Sequence, residues 1–200
     1  MEKIITVAFD IESEAYQAFN ELKNGLTTAN FVLSQASLIK NDQGHFIEKD
    51  CIDTGIETTD DTERGGLIGS LVGIIGGPLG MIIGGSIGAL TGSIVDVGDS
   101  TKNDSVLAKV TEGIPEGYTA IVALVGEIVD GEFNKFFSKY STFSSEEDAA
   151  VVAFEVEEAQ RIQKEMEKDA RRQLREEKKA DYKQKIEAKR EELKAKFRRD

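Results

Sequence analysis

Short apolar runs separated by polar residues open the chain, and their spacing predicts a strand followed by a helix. Residues 3–9 are β-branched and aromatic, which predicts a buried strand. Asp10 or Ser13 is the expected N-cap of the next helix, because either side chain can accept a hydrogen bond from a free backbone N–H group. The apolar face of that helix is predicted from its helical spacing at Ala15, Phe19, Leu22 and Leu26.

A β-hairpin is predicted after this helix. Residues 31–40 read as a strand, residues 41–44 as a turn, and residues 45–52 as the returning strand. Gly44 supplies the positive φ that such a turn requires. The chain up to residue 52 therefore predicts the order strand, helix, strand, strand.

Four further short elements are predicted from residue 101 onward. Residues 101–111 predict a short helix, residues 118–125 a strand, and residues 140–144 a brief last strand. Asp130 is the expected N-cap of a short helix that carries three phenylalanines, namely Phe133, Phe136 and Phe137.

A long charged helix is predicted at the C-terminal end. No glycine or proline occurs from Ser145 to Asp200, and acidic residues directly follow Ser145 as in a typical first turn. Apolar residues are too irregularly spaced for a coiled coil. Two interpretations stay open: a solvated helix held by ion pairs, or a helix that packs along a partner. The basic residues from Lys194 onward are a weaker candidate for contact with anionic lipid.

The middle of the chain contains a long uncharged stretch. Residues 65–95 contain no charged side chain, and Pro78, preceded by two glycines, divides them. Because proline interrupts a helix, the pattern predicts two helices, at residues 65–77 and 79–95, joined by a tight turn at Pro78.

Glycines recur every four residues in both predicted helices. Residues four apart lie on one helical stripe, and a stripe without side chains allows a second helix to approach closely. This glycine zipper predicts self-association, so that a large substitution such as Gly84→Leu should block assembly. The glycines are Gly65, Gly69, Gly73 and Gly77 in one series, and Gly76, Gly80, Gly84, Gly88 and Gly92 in the other.

The lengths of the two predicted helices bear on what surrounds the hairpin. Helices of 13 and 17 residues are about 20 and 26 Å long, and the hydrocarbon core of a bilayer is about 30 Å thick. The favoured interpretation is a hairpin in or at the cell membrane with both termini in the cytoplasm. The alternative is a cytoplasmic homo-oligomer that buries all its hairpins centrally.

Charge limits the classes of partner. The chain has 25 basic and 37 acidic residues, a net charge of −12. Residues 155–200 hold 16 basic and 13 acidic residues, so residues 1–154 hold 9 and 24 and carry −15. Nucleic-acid binding is disfavoured, because it needs a basic face. The acidic part would also be repelled by an anionic lipid surface.

No catalytic, cofactor-binding or metal-binding residue is predicted, and no small-molecule substrate is identified. His45 and Cys51 lack partners of the kind that catalysis or metal binding requires. A group of aspartates beside the uncharged stretch is expected to provide solubility and helix caps rather than a cation site; it comprises Asp60, Asp61, Asp96, Asp99 and Asp104. The protein is therefore predicted not to be an enzyme.

Four segments of the chain form a recognisable combination: the first strand (Ile-Ile-Thr-Val-Ala-Phe-Asp), the hairpin, the glycine-rich Gly-Ala-Leu-Thr-Gly-Ser-Ile-Val-Asp-Val-Gly, and Ile-Pro-Glu-Gly-Tyr-Thr-Ala-Ile-Val-Ala-Leu-Val. Together they resemble the DUF1269 family of bacterial predicted membrane proteins, which are related to general-stress-protein-like domains. The resemblance covers about residues 1–148, while the longer tail departs from it. It implies a ferredoxin-like domain interrupted by a glycine-zipper segment, and it implies no catalytic residues.

The predicted architecture is therefore α+β. Residues 1–62 and 97–144 form a discontinuous ferredoxin-like domain, residues 63–96 the glycine-zipper hairpin, and residues 145–200 the charged helix. The predicted function is that of a membrane-associated, self-assembling structural protein linked to stress. The alternative is a soluble homo-oligomeric structural assembly.

Overall fold

The computed structural model describes residues 2–25, 30–55, 66–83 and 105–197. The chain forms two compact units, Met1–Ala159 and Gln160–Asp200. Its helices and strands follow in the order β1 (Glu2–Phe9), α1 (Glu12–Asn24), β2 (Phe31–Asp42), β3 (His45–Asp53), α2 (Gly66–Ile75), α3 (Pro78–Ile83), α4 (Val106–Glu112), β4 (Thr119–Glu127), α5 (Glu132–Phe136), β5 (Thr142–Asp148) and α6 (Ala149–Phe197). The α+β class and the long C-terminal helix are confirmed.

The five strands form one antiparallel sheet in the order β3-β2-β4-β1-β5. β4 lies between β1 and β2 and runs antiparallel to both, so that β1 and β2 are parallel to each other. The predicted hairpin is confirmed: β2 and β3 are joined by Gln43 and Gly44, whose φ angles are 53° and 81°. Two positive φ angles match a turn whose twist suits the flanking strands.

One face of the sheet is covered by α1 and the phenylalanines around α5. The buried side of α1 consists of Ala15, Ala18, Phe19 and Leu22, which confirms the predicted apolar face as far as Leu22; Leu26 lies outside the described residues. Edge-to-face ring contacts join Phe31 to Phe133 at 5.3 Å and Phe133 to Phe137 at 5.2 Å. The predicted phenylalanine helix therefore closes this core.

The opposite face of the sheet is also buried, which explains why its strands are apolar on both sides. Ile4, Ala8, Ile39 and Val122 alternate with the residues of the first core and are at most 1 % exposed. α2 contacts β2, β3 and β4 on this side. The sheet is thus enclosed between two helical layers in the manner of buried sheets generally.

Three predicted helix starts are wrong. The N-cap of α1 is Ile11, without a side-chain hydrogen bond, rather than Asp10 or Ser13. The N-cap of α5 is Gly131 rather than Asp130. α6 begins at Ala149, four residues after Ser145, because residues 142–148 pair with β1 as β5. Pairing with β1 is a long-range interaction that helix propensity does not report.

A cluster of carboxylates around Lys3 ties β1 to β5 and to the β4–α5 loop. The ammonium group of Lys3 lies 2.8 Å from Glu146, 3.2 Å from Asp130 and 3.4 Å from Glu127. Hydrogen bonds to Glu146 and then to Asp130 raise the pKa of Lys3 well above its ordinary value. These bonds favour the charged form of the amine in the folded protein.

The raised pKa predicts a dependence of stability on alkaline pH. The folded-state pKa lies above the unfolded value of about 10.4, so the stabilisation by Lys3 is complete below that pH and is lost as the pH rises further. We expect Lys3→Met to lower the free energy of unfolding at pH 8, and the gap from wild type to narrow above pH 10.5. Urea unfolding of both proteins at the two pH values measures the difference in their free energies of unfolding. A difference that widens as the pH rises would contradict the prediction.

Candidate functional site

The uncharged stretch is divided as the sequence predicts. α2 ends at Ile75, Gly76 and Gly77 form the break, and Pro78 is the first residue of α3. Proline suits this position, because the N–H group it lacks has no helical partner there. Four of the proposed zipper positions lie outside the described residues: Gly65, Gly84, Gly88 and Gly92.

α2 lies with its apolar side against the sheet. This side is buried throughout and consists of Leu67, Ile68, Leu71, Val72, Ile74 and Ile75, each at most 6 % exposed. Gly69 and Gly73 lie on the other side and are exposed. The stripe of small residues is therefore presented outward, and the large residues of α2 already have a protein partner.

The glycines of this region divide into two groups by what an added Cβ atom would meet. At Gly76 a Cβ atom would lie 2.8 Å from the carbonyl oxygen of Phe46, and at Gly80 it would lie 1.7 Å from that of Ile75. Both glycines thus allow a close backbone approach within the chain. At Gly69 and Gly73 no described atom outside the helix's own backbone lies within 4 Å. The packing of the described residues does not account for these two glycines.

Gln35 holds the N-terminal end of α2 on the sheet. Its side-chain oxygen accepts a hydrogen bond of 3.1 Å from the backbone N–H of Ile68. The register of β2 shifts between Leu33 and Gln35, which leaves Ser34 as an extra residue opposite β4. This bulge reverses the alternation and turns Gln35 toward α2. Sequence analysis did not identify Gln35, since neither the bulge nor the contact is local.

Gly66, the first residue of α2, is required by the same contact. Its φ angle is +71°, and a Cβ atom there would lie 1.7 Å from the amide nitrogen of Gln35. Only glycine adopts this φ angle without steric cost. Gln35 and Gly66 together fix where α2 begins and therefore which of its sides faces outward.

The start of α4 is anchored by a side chain of α6. The carboxylate of Glu155 in α6 accepts hydrogen bonds from the N–H groups of Val106 (2.9 Å) and Leu107 (3.0 Å) and from the Ser105 hydroxyl (2.9 Å). Glu155 thus caps α4 from a distant part of the sequence. One glutamate among the many charged residues of this helix gave no sequence signal that it would cap α4.

A cleft of about 410 Å³ lies beside the β2–β3 turn. Phe46 and Ile114 supply its apolar surface, and Glu112 and Glu116 supply carboxylates. The Asn41 side chain is occupied in structural bonds, donating to the carbonyl of Ile114 (2.7 Å) and accepting from the N–H of Gly44 (2.9 Å). Asn41 therefore holds the turn against the 112–116 loop.

The structure places His45 and Cys51 at one edge of the sheet. His45 and Cys51 are exposed on the edge strand β3. Within the described ranges, no three side chains of histidine, cysteine, aspartate or glutamate are grouped so that they could hold a metal ion. All five aspartates considered from the sequence lie outside those ranges, at Asp60, Asp61, Asp96, Asp99 and Asp104.

The length and apolar character needed to cross a bilayer are not combined in any helix of the described part of the chain.

Comparison with known proteins gives one match. A family model described as "Protein of unknown function (DUF1269)" matches residues 63–186. No curated protein and no solved structure is significantly similar to the chain.

The matched range corrects the extent of the resemblance. It begins at residue 63, so the first strands and α1 lie outside it, and it continues 38 residues beyond residue 148 into the charged helix. The charged helix as far as residue 186 is therefore covered by the family model rather than being a departure from the family. The short motifs at the N-terminal end, in contrast, are not part of the match.

Proposed function

The chain belongs to the DUF1269 family, whose function is unknown, and from that premise we propose that it is a homo-oligomeric structural protein that assembles through α2. The observation that supports this proposal is the exposed stripe at Gly69 and Gly73. It lies on a helix whose large apolar side chains are already buried.

Gly69 and Gly73 destabilise α2 when no other helix packs against them. Glycine in the interior of a helix costs about 1 kcal/mol relative to alanine. At Gly69 and Gly73 the methyl group of alanine would meet no described atom within 4 Å outside the helix's own backbone, so packing within the described part of the chain does not offset this cost. A second helix that approaches the bare backbone closely would offset it, through dispersion and Cα–H···O contacts.

A second copy of the chain is the partner that the charge distribution favours. The chain carries −12 overall, so two copies repel each other over most of their surface. Residues 65–95 contain no charge, and contact there does not bring like charges together. A stripe meeting the same stripe on another copy also gives a closed, two-fold interface.

The soluble form of the assembly is favoured over insertion of α2 into lipid. The leucine and isoleucine side chains that would face lipid are packed against the sheet instead. Contact of residues 79–95 with a membrane remains a proposal, since most of that segment lies outside the described residues. A link to stress and the absence of enzyme activity also remain predictions.

We further propose that the sheet with α1 and α5 is a ferredoxin-like domain with β3 added at one edge. The support is the arrangement in which β4 separates the parallel strands β1 and β2. Such a split βαβ arrangement is characteristic of this fold. The glycine-zipper hairpin would then be an insertion between β3 and β4.

Paired substitutions at the stripe test the assembly. We expect Gly69→Leu/Gly73→Leu to reduce the wild-type oligomer to single chains, because two large side chains separate the backbones. Gly69→Ala/Gly73→Ala should raise the free energy of unfolding of the single chain by about 2 kcal/mol. Light scattering with and without detergent measures the mass, and denaturant unfolding measures the stability.

The control variant introduces two leucines on α1 instead of on α2. Gln17 and Asn20 are exposed on α1, so Gln17→Leu/Asn20→Leu adds an equal apolar surface without touching α2. This variant should keep the wild-type mass. A wild-type protein that is a single chain with and without detergent would refute the proposal, and so would an unchanged mass in the Gly69→Leu/Gly73→Leu variant.

A further inference from the structure

The charges of α6 are segregated around the helix between Arg161 and Lys194. With 3.6 residues per turn, each residue advances by about 100°, and every basic residue of this range falls on one half of the circumference. That half holds 13 basic and 3 acidic side chains, a net charge of +10. On the other half the structure describes 5 acidic side chains and no basic side chain. All 13 basic side chains are exposed.

An apolar pair lies in the middle of this basic side. Tyr182 and Ile186 are one helical turn apart, and their side chains are 68 % and 37 % exposed. The basic residues around them on the helix surface are Lys178, Lys179, Lys189 and Arg190. An exposed tyrosine and isoleucine within a ring of basic side chains are typical of helices that lie at a lipid headgroup surface.

Ion pairing within the helix does not account for the segregation. Lys185 lies 2.7 Å from Asp181, and Lys194 lies 2.8 Å from Glu191. Such pairs need only a spacing of three or four residues and can be placed anywhere around a helix. Exposed pairs also contribute only about 0–1 kcal/mol each. A stabilised helix alone would therefore not require one basic side.

We propose that this basic side of α6 binds the surface of an anionic lipid bilayer. The basic side runs along the helix axis for about 50 Å, so that one flat surface can contact it over its whole length. The groove of duplex nucleic acid completes a turn in about 34 Å, so a straight helix follows it over only part of that length. The geometry favours the bilayer over nucleic acid.

This inference goes beyond the assembly proposed for α2 and uses other residues. Residues 160–200 hold 16 basic and 10 acidic residues, a net charge of +6, while residues 1–159 carry −18. The basic helix is thus the part of the chain that an anionic surface attracts. Each lysine or arginine near such a surface contributes about 1 kcal/mol of binding. The attraction is electrostatic and should weaken with salt.

The test is flotation of the full chain with lipid vesicles. We expect binding to phosphatidylcholine vesicles that contain phosphatidylserine, little binding to pure phosphatidylcholine vesicles, and release at about 0.5 M salt. The test variant exchanges three charge pairs across the helix at constant net charge: Glu177→Lys, Lys179→Glu, Asp181→Lys, Lys183→Asp, Glu187→Lys and Lys189→Glu. It should bind at least about 100-fold more weakly.

Two further variants test the contributions of the charges and of the apolar pair separately. Lys179→Arg/Lys183→Arg/Lys189→Arg keeps every charge in place and should bind as wild type does. Tyr182→Ser/Ile186→Ser should weaken binding to anionic vesicles several-fold. Equal binding to neutral vesicles, unchanged binding by the exchanged variant with its helix content confirmed by circular dichroism, or binding to duplex DNA but not to vesicles would each overturn the proposal. Oligomer mass, measured in parallel, reports separately on α2.

Discussion

Gly66→Ala is expected to lower the free energy of unfolding by about 2–4 kcal/mol. The φ angle of +71° disfavours any residue with a Cβ atom, and that atom would overlap the amide of Gln35. Gln35 is 5 % exposed, so its side chain has little room to move. It would have to abandon its hydrogen bond to Ile68, leaving a buried N–H group without that partner.

A double-mutant cycle separates the two causes. Gln35→Ala alone should cost about 1–2 kcal/mol through the lost bond to Ile68. In Gly66→Ala/Gln35→Ala the overlap is gone and only the backbone strain remains from the first substitution. The double variant should therefore lose less stability than the sum of the single variants, by about 1–2 kcal/mol.

Urea unfolding of the four proteins measures the cycle. Strict additivity would contradict the contact between Gly66 and Gln35, because independent sites show no coupling. The same variants also bear on the proposed function. If α2 presents its glycine stripe only when its start is fixed, the Gly66→Ala variant should also assemble less tightly than wild type under conditions where it remains folded.

Glu127→Ala is expected to cost about 2–4 kcal/mol of unfolding free energy. Its side chain is only 1 % exposed and accepts hydrogen bonds from the N–H groups of Phe133 (2.9 Å) and Gly131 (3.3 Å). It also lies 3.4 Å from Lys3. The substitution leaves the start of α5 without this cap. It also removes the one buried carboxylate among the three around Lys3.

Asp130 provides the matched control. It lies closer to Lys3, at 3.2 Å, but its side chain is 90 % exposed. Because water screens exposed pairs, Asp130→Asn should change the free energy of unfolding by no more than about 0.5 kcal/mol. Glu127→Gln keeps a hydrogen-bond acceptor for the N–H group of Phe133 but loses the charge. Its loss of unfolding free energy should therefore lie between those of Asp130→Asn and Glu127→Ala. Thermal or urea unfolding at neutral pH would contradict this account if Asp130→Asn cost more than Glu127→Ala.

The two proposals assign separate roles to separate parts of the chain. The stripe at Gly69 and Gly73 joins copies, and the basic side of α6 recognises an anionic surface. An assembly of two copies carries two such helices and would bind a bilayer more tightly than a single chain, because the second helix binds at high effective concentration. The Gly69→Leu/Gly73→Leu variant should therefore weaken vesicle binding as well.

Local pattern determined most of the elements. The first strand, the apolar face of α1, the hairpin turn at Gln43 and Gly44, and the break before Pro78 all follow from short-range spacing and turn chemistry, and the structure confirms them. These features depend on residues a few positions apart, which is the range over which sequence patterns report. The family was also recognised from the sequence, although the matched range proved to be residues 63–186.

Tertiary contacts decided what the pattern left open. The sequence marked Gly69, Gly73, Gly76 and Gly80 as equivalent, but packing against Phe46 and Ile75 separates the last two from the first two. The start of α5 is capped by Glu127 rather than by Asp130, and Glu155 from α6 adds to the cap that Ser105 provides for α4. β5 takes residues 145–148 from the predicted helix because β1 offers them a strand partner. The spacing of residues along the chain determines which side chains share one face of a helix or strand. Which element contacts that face depends on how distant parts of the chain pack.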